Sequence, residues 1–290
     1  MPMSLKSTLK SFTRILPDKV YVRLDFIRNL HKAPNLKNPT TFNEKLQWLK
    51  LYNHDPSYTD MADKLAMRSF VQGKIGPGHT VPVLGTWNSF EEIDFDSLPD
   101  RFVLKCNNDS GHYVICRDKS TLDKDAARRT ITEGLKTNYY YQNREWVYKN
   151  IVPKVFAEQY LQQDADDCLW DYKFFCFNGE PKIMYMEKEA SDLKTEAFFD
   201  MEQNYLDLEM DDPRPETPPA LPPCFDQMKA LAAKLSSGIP FLRVDFFYVN
   251  ETVYVGELTF FHCGGLAPVK PEKWNRQLGD WIELPKEKRI

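Results

Sequence analysis

The sequence predicts an α+β fold. Apolar residues fall at every second position in several short segments, such as 242–248 and 253–260, and this period is typical of strands. Other segments carry apolar residues at helical spacing, and the two kinds follow one another without a regular strand–helix–strand order. A chain of 290 residues is long enough for one or two domains with a buried core.

The helices are predicted from periodicity and from residues that start or stop helices. Thr41 and Glu44 have the spacing of a capping box, which predicts a helix from this point through Leu51. Pro17 and Pro34 interrupt the region before it. The other helices are predicted within residues 5–34, 60–74, 122–138 and 228–235.

The strands are short apolar runs between turn residues. Asn178-Gly179 separates two of them and is a strong hairpin signal. Residues 213–223 hold six prolines and predict an exposed loop. Strands are predicted over residues 81–84, 102–105, 113–116, 151–161, 172–177, 181–187, 242–248 and 253–260.

Charge and cysteine usage narrow the class of protein. The net charge of −4 does not indicate a nucleic-acid partner, although residues 1–50 hold ten Lys and Arg against three acids. Leu5, Leu9, Phe12 and Leu16 lie at helical spacing there, which fits either a helix docked on the body or weak contact with an anionic membrane surface. No apolar run resembles a membrane span or signal peptide, and the six scattered cysteines indicate free thiols. We therefore expect a cytoplasmic protein.

The segment FLRVDFFYVNETVYVGELTFFHCGG contains the chemistry-bearing residues of the predicted hairpin. A three-residue loop at 250–252 would place Asp245 opposite Glu257 and Arg243 opposite Thr259, all on one face. The opposite face would then carry the apolar residues Leu242, Val244, Phe246, Tyr248, Tyr254, Leu258 and Phe260.

Two opposed carboxylates repel one another and need a compensating cation. Arg243 could supply it, which would make a structural ion cluster. The alternative is Mg²⁺, since carboxylate, hydroxyl and phosphate oxygens are its preferred ligands.

Three other segments suggest contacts with a nucleotide, each with a plainer alternative. VLKCNNDSGHYVI places Lys105 on a strand before a small polar turn, which can hold a phosphate or form a surface hairpin. VFAEQYL can present backbone groups to an adenine or form an edge strand. Lys173 can meet a phosphate or pair with Asp171 on the same strand face.

An Asp-x-Asp sequence, Asp164 and Asp166, suggests a second kind of chemistry. Such a pair binds the metal of a nucleotide-sugar in some glycosyltransferases. The alternative is a solvated acidic loop.

In this order along the chain, these segments resemble the ATP-grasp superfamily, over about residues 63–268. The finer resemblance is to its TupA-like branch, linked to teichuronopeptide and other surface-polysaccharide synthesis. It is carried by NPTTFNEKLQWLKLY, ADKLAMRSFV, LPDRFVLKCNNDSGH, AEQYL, DYKFFCFNGEPK and RVDFFYVNETVYVGELTFFHCGG.

The resemblance implies two α+β lobes that hold ATP between them. It implies a helical N-terminal region at 1–60, an N-terminal lobe with the phosphate loop at 61–161, and a C-terminal lobe with the metal-binding strands at 162–290.

The resemblance also assigns site residues. Asp63 and Lys64 resemble the family's early lysine helix. The metal residues would be Asp245, Glu257 and Thr259, where the superfamily usually has Asn in place of Thr. Arg243 and Lys173 would be catalytic. Contacts with ATP would come from Lys64, Lys105, Asn107, Ser110, Gly111, Glu158, Gln159, Tyr160, Leu161 and Asp171.

The implied activity is ATP-dependent carboxylate–amine ligation through an acyl phosphate, with ATP and Mg²⁺ as cofactors. Arg243 would stabilise the acyl phosphate, and Gly264-Gly265 would let the backbone approach the acceptor. The acceptor would be a carboxylate, such as a uronic acid of a surface glycan or nucleotide-sugar, joined to an amine or amino acid. The alternatives are a nucleotide-sugar glycosyltransferase and an inactive nucleotide-binding module.

Overall fold

The computed structural model describes residues 14–162, 169–188 and 194–290. The predicted amphipathic residues Leu5, Leu9 and Phe12, and the Asp-x-Asp pair Asp164 and Asp166, lie outside these ranges. Among the described residues, no helix is both long and apolar enough to cross a lipid bilayer.

About a third of the residues lie in helices, which pack against both sheets. They are α1 (Asp18–Leu30), α2 (Phe42–Tyr52), α3 (Ser57–Ala62), α4 (Met67–Ile75), α5 (Lys124–Lys136), α6 (Tyr140–Asn143), α7 (Phe225–Ser236) and α8 (Glu272–Trp281).

The strands form two antiparallel sheets, so the α+β prediction is confirmed. The first sheet has the order β1-β4-β2-β3, and the second has the order β7-β6-β5-β8-β9. Their bounds are β1 (Val83–Trp87), β2 (Phe102–Cys106), β3 (Tyr113–Cys116), β4 (Val155–Gln159), β5 (Trp170–Phe177), β6 (Glu180–Lys188), β7 (Ala197–Asp200), β8 (Phe241–Val249) and β9 (Thr252–Thr259).

Local sequence signals explain several boundaries. The capping box that starts α2 is present: the Thr41 side chain accepts from the Glu44 amide, and the Glu44 carboxylate accepts from the Thr41 amide. Asn178 and Gly179 have φ values of 52° and 89°, as a two-residue β-hairpin turn requires.

One face of the first sheet packs on α5. Ala127 and Ile131 of this helix belong to the same buried cluster as Phe102 and Leu104 of β2. Strand β4 lies between β1 and β2, so the edge-strand alternative for VFAEQYL is wrong. The opposite face carries Lys105 and Glu158.

The second sheet is covered on both faces. Phe174 of β5 packs against Phe225 of α7, with ring centroids 5.7 Å apart. On the other face, Phe42 of α2 meets Phe175 and Phe241 at 6.0 and 5.1 Å. Helix α2 therefore joins the core of the second sheet.

The turn of the β8–β9 hairpin differs from the prediction, but Asp245 still pairs with Glu257. The loop holds two residues, Asn250 and Glu251, both with positive φ. A β-bulge beyond Asp245 then adds one residue to β9, at Gly256, and restores the predicted pairing of Asp245 with Glu257.

Because of the bulge, the residues on the apolar face of β9 differ from those predicted. Between the turn and the bulge, the odd-numbered residues of β9 lie on the apolar face of the hairpin. Val253 and Val255 are therefore buried, at 1% and 2% exposure. Tyr254 was wrongly assigned to that face, because it pairs with Phe247 instead of an apolar-face residue.

Three further differences concern the helices and strand β7. The helix predicted over 60–74 is two helices, since the chain turns at residues 63–66 and the Asp63 side chain accepts from the amides of Leu65 and Ala66. Lys64 therefore lies in a turn and not in the helix that the resemblance implied. Neither β7 nor α8 was predicted from the sequence.

Candidate active site

One face of the second sheet carries a compact group of charged side chains beside the aromatic residues under α2. We call this group the polar platform. Strand register places Lys173 opposite Asp245, Asp245 opposite Glu257, Arg243 opposite Thr259, and Asp171 opposite Glu187. The polar platform consists of Asp171, Lys173, Glu187, Arg243, Asp245, Glu257 and Thr259.

Arg243 and Asp245 form a buried, doubly bonded ion pair. The guanidinium Nε and Nη2 donate to the two carboxylate oxygens at 2.8 and 2.7 Å, and the residues are 9% and 4% exposed. This is the pairing expected of the ion-cluster alternative. Doubly bonded pairs of an arginine with a carboxylate are stronger than hydrogen bonds between neutral groups.

The free side of Arg243 meets His262, which the sequence analysis missed. Burial and the neighbouring Arg243 charge hold the pKa of His262 well below its usual value, so its ring is neutral. The unprotonated Nδ1 therefore accepts from Nη1 of Arg243 at 2.9 Å. No sequence signal linked these residues, because their contact depends on the turn after β9.

Lys173 lies between two carboxylates. Its ammonium is 3.5 Å from Asp171 and contacts Glu187, a second residue that the sequence analysis missed. Burial acts to lower the pKa of Lys173, but Asp171 and other carboxylates raise it, so the ammonium stays charged. The sequence did not point to Glu187, because the two-residue turn alone would place Met186 opposite Asp171, and a bulge beyond Phe175 shifts the pairing to Glu187.

Asp245 and Glu257 have opposite pKa shifts. Burial raises the pKa of Asp245, an effect that Arg243 and Lys173 oppose. Burial acts in the same direction on Glu257, but Lys64, Arg243 and Lys173 together lower its pKa. Glu257 is therefore an anion that lies 3.6 Å from Lys64 and 3.9 Å from Arg243.

Thr259 carries a buried hydroxyl without a hydrogen-bond partner in the described part of the chain. The residue is 8% exposed and follows Glu257 on the same face of β9. A buried polar atom of this kind costs free energy unless a ligand or water satisfies it. The oxygens of Asp245, Glu257 and Thr259 fit a hard cation such as Mg²⁺.

Within residues 14–162, 169–188 and 194–290, no three His, Cys, Asp or Glu side chains form a metal-binding group. Mg²⁺ usually binds one or two carboxylates and takes its other ligands from phosphates and water.

The predicted phosphate loop after β2 folds inward at its start and outward at its end. Asn107 is 1% exposed, and its amide nitrogen donates to Asp63 and to the Val152 carbonyl. Ser110 and Gly111 are exposed, and Gly111 has φ +108°. Asn107 therefore supports the loop, whereas Ser110 and Gly111 are accessible to a ligand.

Lys64 connects this loop to the polar platform. Its ammonium donates to the carbonyl of Asp109 and lies 3.6 Å from Glu257. Asp109 itself is 2% exposed and its carboxylate contacts His112. One lysine thus spans the gap between the first and second sheets.

Glu158 accepts hydrogen bonds from two basic side chains. Its carboxylate accepts from Lys105 at 2.7 Å and from Arg68 at 3.3 Å. Gln159 is exposed at the end of β4, and the guanidinium of Arg101 lies 5.0 Å from the ring centre of Tyr160. Leu161, the last residue of the predicted adenine segment, is half-buried.

Helix α2 holds the turn that follows β9, the 3₁₀ turn His262–Gly265. Gln47 donates to the carbonyls of Gly264 and Gly265 at 2.9 and 3.0 Å, and Lys50 donates to Gly264 at 2.7 Å. Asn43 donates to Gly265 at 3.0 Å. These three helix residues lie on one face at spacings of four and three, which was the available sequence signal.

The turn has little room for larger residues. Gly264 and Gly265 have φ values of 62° and 69°, and a Cβ on Gly265 would lie 2.5 Å from Nε2 of Gln47. Cys263 also has positive φ, at 47°. The two glycines are therefore required by backbone conformation and by the close approach of α2.

The comparison with protein families shows to which family this chain belongs. The family model described as "TupA-like ATPgrasp" matches residues 44–283, which is most of the chain. The chain belongs to the TupA-like ATPgrasp family. The matched region of this TupA-like protein includes α2, both sheets and the polar platform. The comparison with curated proteins found no match.

Solved structures similar to the TupA-like protein are distant in sequence. D-alanine–D-alanine ligase from Bacillus anthracis complexed with ATP is 14% identical, with 69% of this chain and 54% of that chain covered and a TM-score of 0.39. The Helicobacter pylori D-alanine–D-alanine ligase is 14% identical, with 83% and 69% covered and a TM-score of 0.44. The ADP complex of N5-carboxyaminoimidazole ribonucleotide synthetase is 12% identical, with 75% and 50% covered and a TM-score of 0.45. The TupA-like protein thus spans about half the length of the first of these structures.

Proposed function

We propose that this protein is an ATP- and Mg²⁺-dependent carboxylate–amine ligase. The proposal rests above all on one observation: Asp245 and Glu257 oppose each other beside the Thr259 hydroxyl, which has no hydrogen-bond partner among the residues that the structure describes. Membership of the TupA-like ATPgrasp family supports it.

Asp245, Glu257 and Thr259 would hold the metal. When bound, Mg²⁺ would neutralise charge on the β- and γ-phosphates. Glu257 is suited to this role because Lys64 and Arg243 keep it ionised inside the protein. A contact with the metal would also give the buried hydroxyl oxygen of Thr259 a partner.

Lys64, Lys105 and Lys173 would bind phosphate oxygens. In the structure each contacts a carboxylate: Glu257, Glu158 and, for Lys173, Asp171. Binding of Mg²⁺ and ATP would let these lysines exchange carboxylate partners for phosphate oxygens. Gln159, Tyr160 and Leu161 would lie along the adenine.

Arg243 would act on the acceptor carboxylate. A carboxylate oxygen attacks the γ-phosphorus, ADP leaves, and the product is an acyl phosphate. The amine then attacks the acyl carbon, loses a proton, and phosphate leaves with the carboxylate oxygen. Charge grows on the transferring and carbonyl oxygens during these steps, and a fixed guanidinium beside them stabilises the transition state.

The turn containing Gly264 and Gly265 would bring backbone amides near the acceptor. Its carbonyls are held by Gln47 and Lys50 of α2, so the backbone is already fixed before a substrate arrives. For the substrates we propose a uronic acid of a bacterial surface glycan or nucleotide-sugar, joined to an amino acid or another amine.

Transfer of an oxygen isotope tests the reaction. Candidate uronic acids labelled with ¹⁸O in the carboxylate should pass one labelled oxygen to inorganic phosphate when ATP, Mg²⁺ and an amine are present. Amide formation without that transfer would exclude the acyl phosphate.

A binding measurement separates the ligase from the other two functions considered. We expect ATP with Mg²⁺ to raise the melting temperature. A shift with UDP-sugars alone would instead favour a glycosyltransferase. ATP binding without ADP release, for every candidate pair of acceptor and amine, would favour a nucleotide-binding module.

A further inference from the structure

Helix α1 presents a row of apolar side chains to solvent. Val20, Leu24 and Ile27 are 43%, 55% and 44% exposed, and Ile15 just before the helix is 77% exposed. Single exposed apolar residues are ordinary, but these form one continuous row. We call Val20, Leu24 and Ile27 the apolar stripe.

The opposite side of α1 is attached to the body of the protein. Val22 and Phe26 are 2% and 0% exposed. At the start of the helix, Asp18 accepts from the hydroxyl of Tyr140 at 2.6 Å and lies 3.1 Å from Nε of Arg144. The helix is therefore held in an orientation that turns the apolar stripe outward.

Basic side chains flank the apolar stripe on both sides. With about 100° of rotation per residue, Arg23 and Lys19 lie to one side of the stripe and Arg28 to the other. All three are exposed, whereas Asp18 and Asp25 are partly buried toward the body. Residues 14–37 hold six Lys and Arg against two acids.

We propose that α1 is a docking surface for anionic lipid bilayers, with the apolar stripe among the acyl chains and the flanking basic residues at the headgroups. An apolar centre between two cationic borders is the pattern of helices that lie in the plane of a membrane interface. An apolar patch on a partner protein would match the stripe but would leave the cations on both sides unmatched. An anionic lipid surface matches all three, and the proposal is independent of the enzymatic function.

Flotation of the full-length protein with lipid vesicles tests this proposal. We expect binding to vesicles containing phosphatidylglycerol and much weaker binding to phosphatidylcholine alone, with the former weakening as salt is added. The double variant Leu24→Ser, Ile27→Ser should lose at least about tenfold in partition coefficient, because it removes two of the apolar groups to be buried.

The matched control removes apolar surface elsewhere. Leu84 and Val152 are 40% and 69% exposed and lie outside α1. The double variant Leu84→Ser, Val152→Ser should bind vesicles like wild type. An equal loss in this control, or no binding of wild type to anionic vesicles at low salt, would overturn the proposal.

A charge variant tests the basic borders separately. Changing Lys19, Arg23 and Arg28 to Gln should lower binding to anionic vesicles at least about tenfold, since each of these charges is attracted to the anionic headgroups. An equal change at exposed lysines elsewhere should have little effect; the control positions are Lys74, Lys234 and Lys286.

The main competing explanation is that a second copy of the protein covers the apolar stripe. A self-association measurement tests it. Sedimentation velocity should show the same oligomeric state for wild type and for Leu24→Ser, Ile27→Ser. If the double variant abolishes a dimer and vesicles do not bind wild type, the stripe is an interface between two copies and the membrane proposal is wrong.

Discussion

Gly256 lies directly against the ring of Phe247, where a Cβ would be 2.6 Å from Cε2. Gly256 is the extra residue of the bulge in β9, and the bulge returns Glu257 to the face that carries Asp245. A close contact between a glycine and an aromatic ring thus sets the alignment of the two proposed metal ligands. The hairpin turn alone would have placed them on opposite faces.

The first prediction concerns this contact. Gly256→Ala should reduce the free energy of unfolding by about 1–3 kcal/mol, because the added methyl forces Phe247 or the bulge to move. It should also weaken Mg²⁺-dependent ATP binding, measured by calorimetry. The control is Gly73→Ala in α4, where a Cβ meets nothing within 4 Å. ATP affinity that survives in Gly256→Ala would show that the bulge does not position the site.

The second prediction concerns the proposed metal site. Glu257→Gln removes an anionic oxygen that Lys64 and Arg243 keep ionised. We expect ATP binding to lose its dependence on Mg²⁺ and ADP formation to stop, while the melting temperature changes little. Glu251→Gln, at an exposed position in the turn of the same hairpin, is the matched control. Turnover near the wild-type rate would remove Glu257 from the metal site.

The third prediction separates the two roles considered for Arg243. Arg243→Lys keeps the charge but cannot maintain both bonds to Asp245 and the bond to His262. We expect kcat to fall by a factor on the order of 100 or more, with little change in the Kd of ATP, if the guanidinium acts in the transition state. Nearly full activity would instead mean that Arg243 serves only to neutralise the carboxylates.

The fourth prediction concerns the support of the turn after β9. Gln47→Leu keeps most of the side-chain volume but removes the donor to the carbonyls of Gly264 and Gly265. Stability should fall by about 1–3 kcal/mol, since buried carbonyls lose a partner. We also expect the KM of the acceptor to rise while the Kd of ATP stays unchanged. An exposed residue of α4 provides the control, Gln72→Leu. Equal losses of ATP and acceptor affinity would indicate general destabilisation.

The fifth prediction concerns pH. Burial, with a smaller contribution from Glu187, raises the pKa of Glu196 from 4.5 to about 7. The folded state therefore holds this proton more tightly than the unfolded state does. The associated stability is present below pH 4.5 and is lost as the pH rises through about 7, an effect of about 3 kcal/mol.

Glu196→Gln should remove that part of the pH dependence. Denaturant unfolding between pH 4.5 and 8 would measure it, with Glu180→Gln as the control because the Glu180 side chain is 68% exposed. The same slope in wild type and in Glu196→Gln would show that Glu196 does not titrate in this range.

Sequence reasoning succeeded where the signal was local. Thr41 and Glu44 predicted the start of α2, and Asn178-Gly179 predicted the β5–β6 turn. Alternation along β8 placed Arg243 and Asp245 on one face. The pairing of Asp245 with Glu257 was also correct, although it was reached through a three-residue loop that the structure replaces with a two-residue turn and a bulge.

Sequence reasoning failed where a contact joins distant parts of the chain. Glu187 and His262 were missed, although each contacts a residue of the polar platform that was predicted. Nothing in the sequence placed Gln47 against Gly264, more than 200 positions later. Lys64 was predicted, but its position between Asp109 and Glu257 was not.

The sequence by itself determined which side chains face together along strands without a bulge, such as β8, and where helix α2 begins, because a strand alternates its faces with a period of two and a cap acts over three or four residues. It also carried the motifs that placed the chain in the TupA-like ATPgrasp family. Only the tertiary structure decided which carboxylate each cation meets and how the turn after β9 is held. Those choices depend on how sheets and helices pack, and the buried environment strengthens the coupling of Asp245 and Glu257 to neighbouring cations, which would be weak in water.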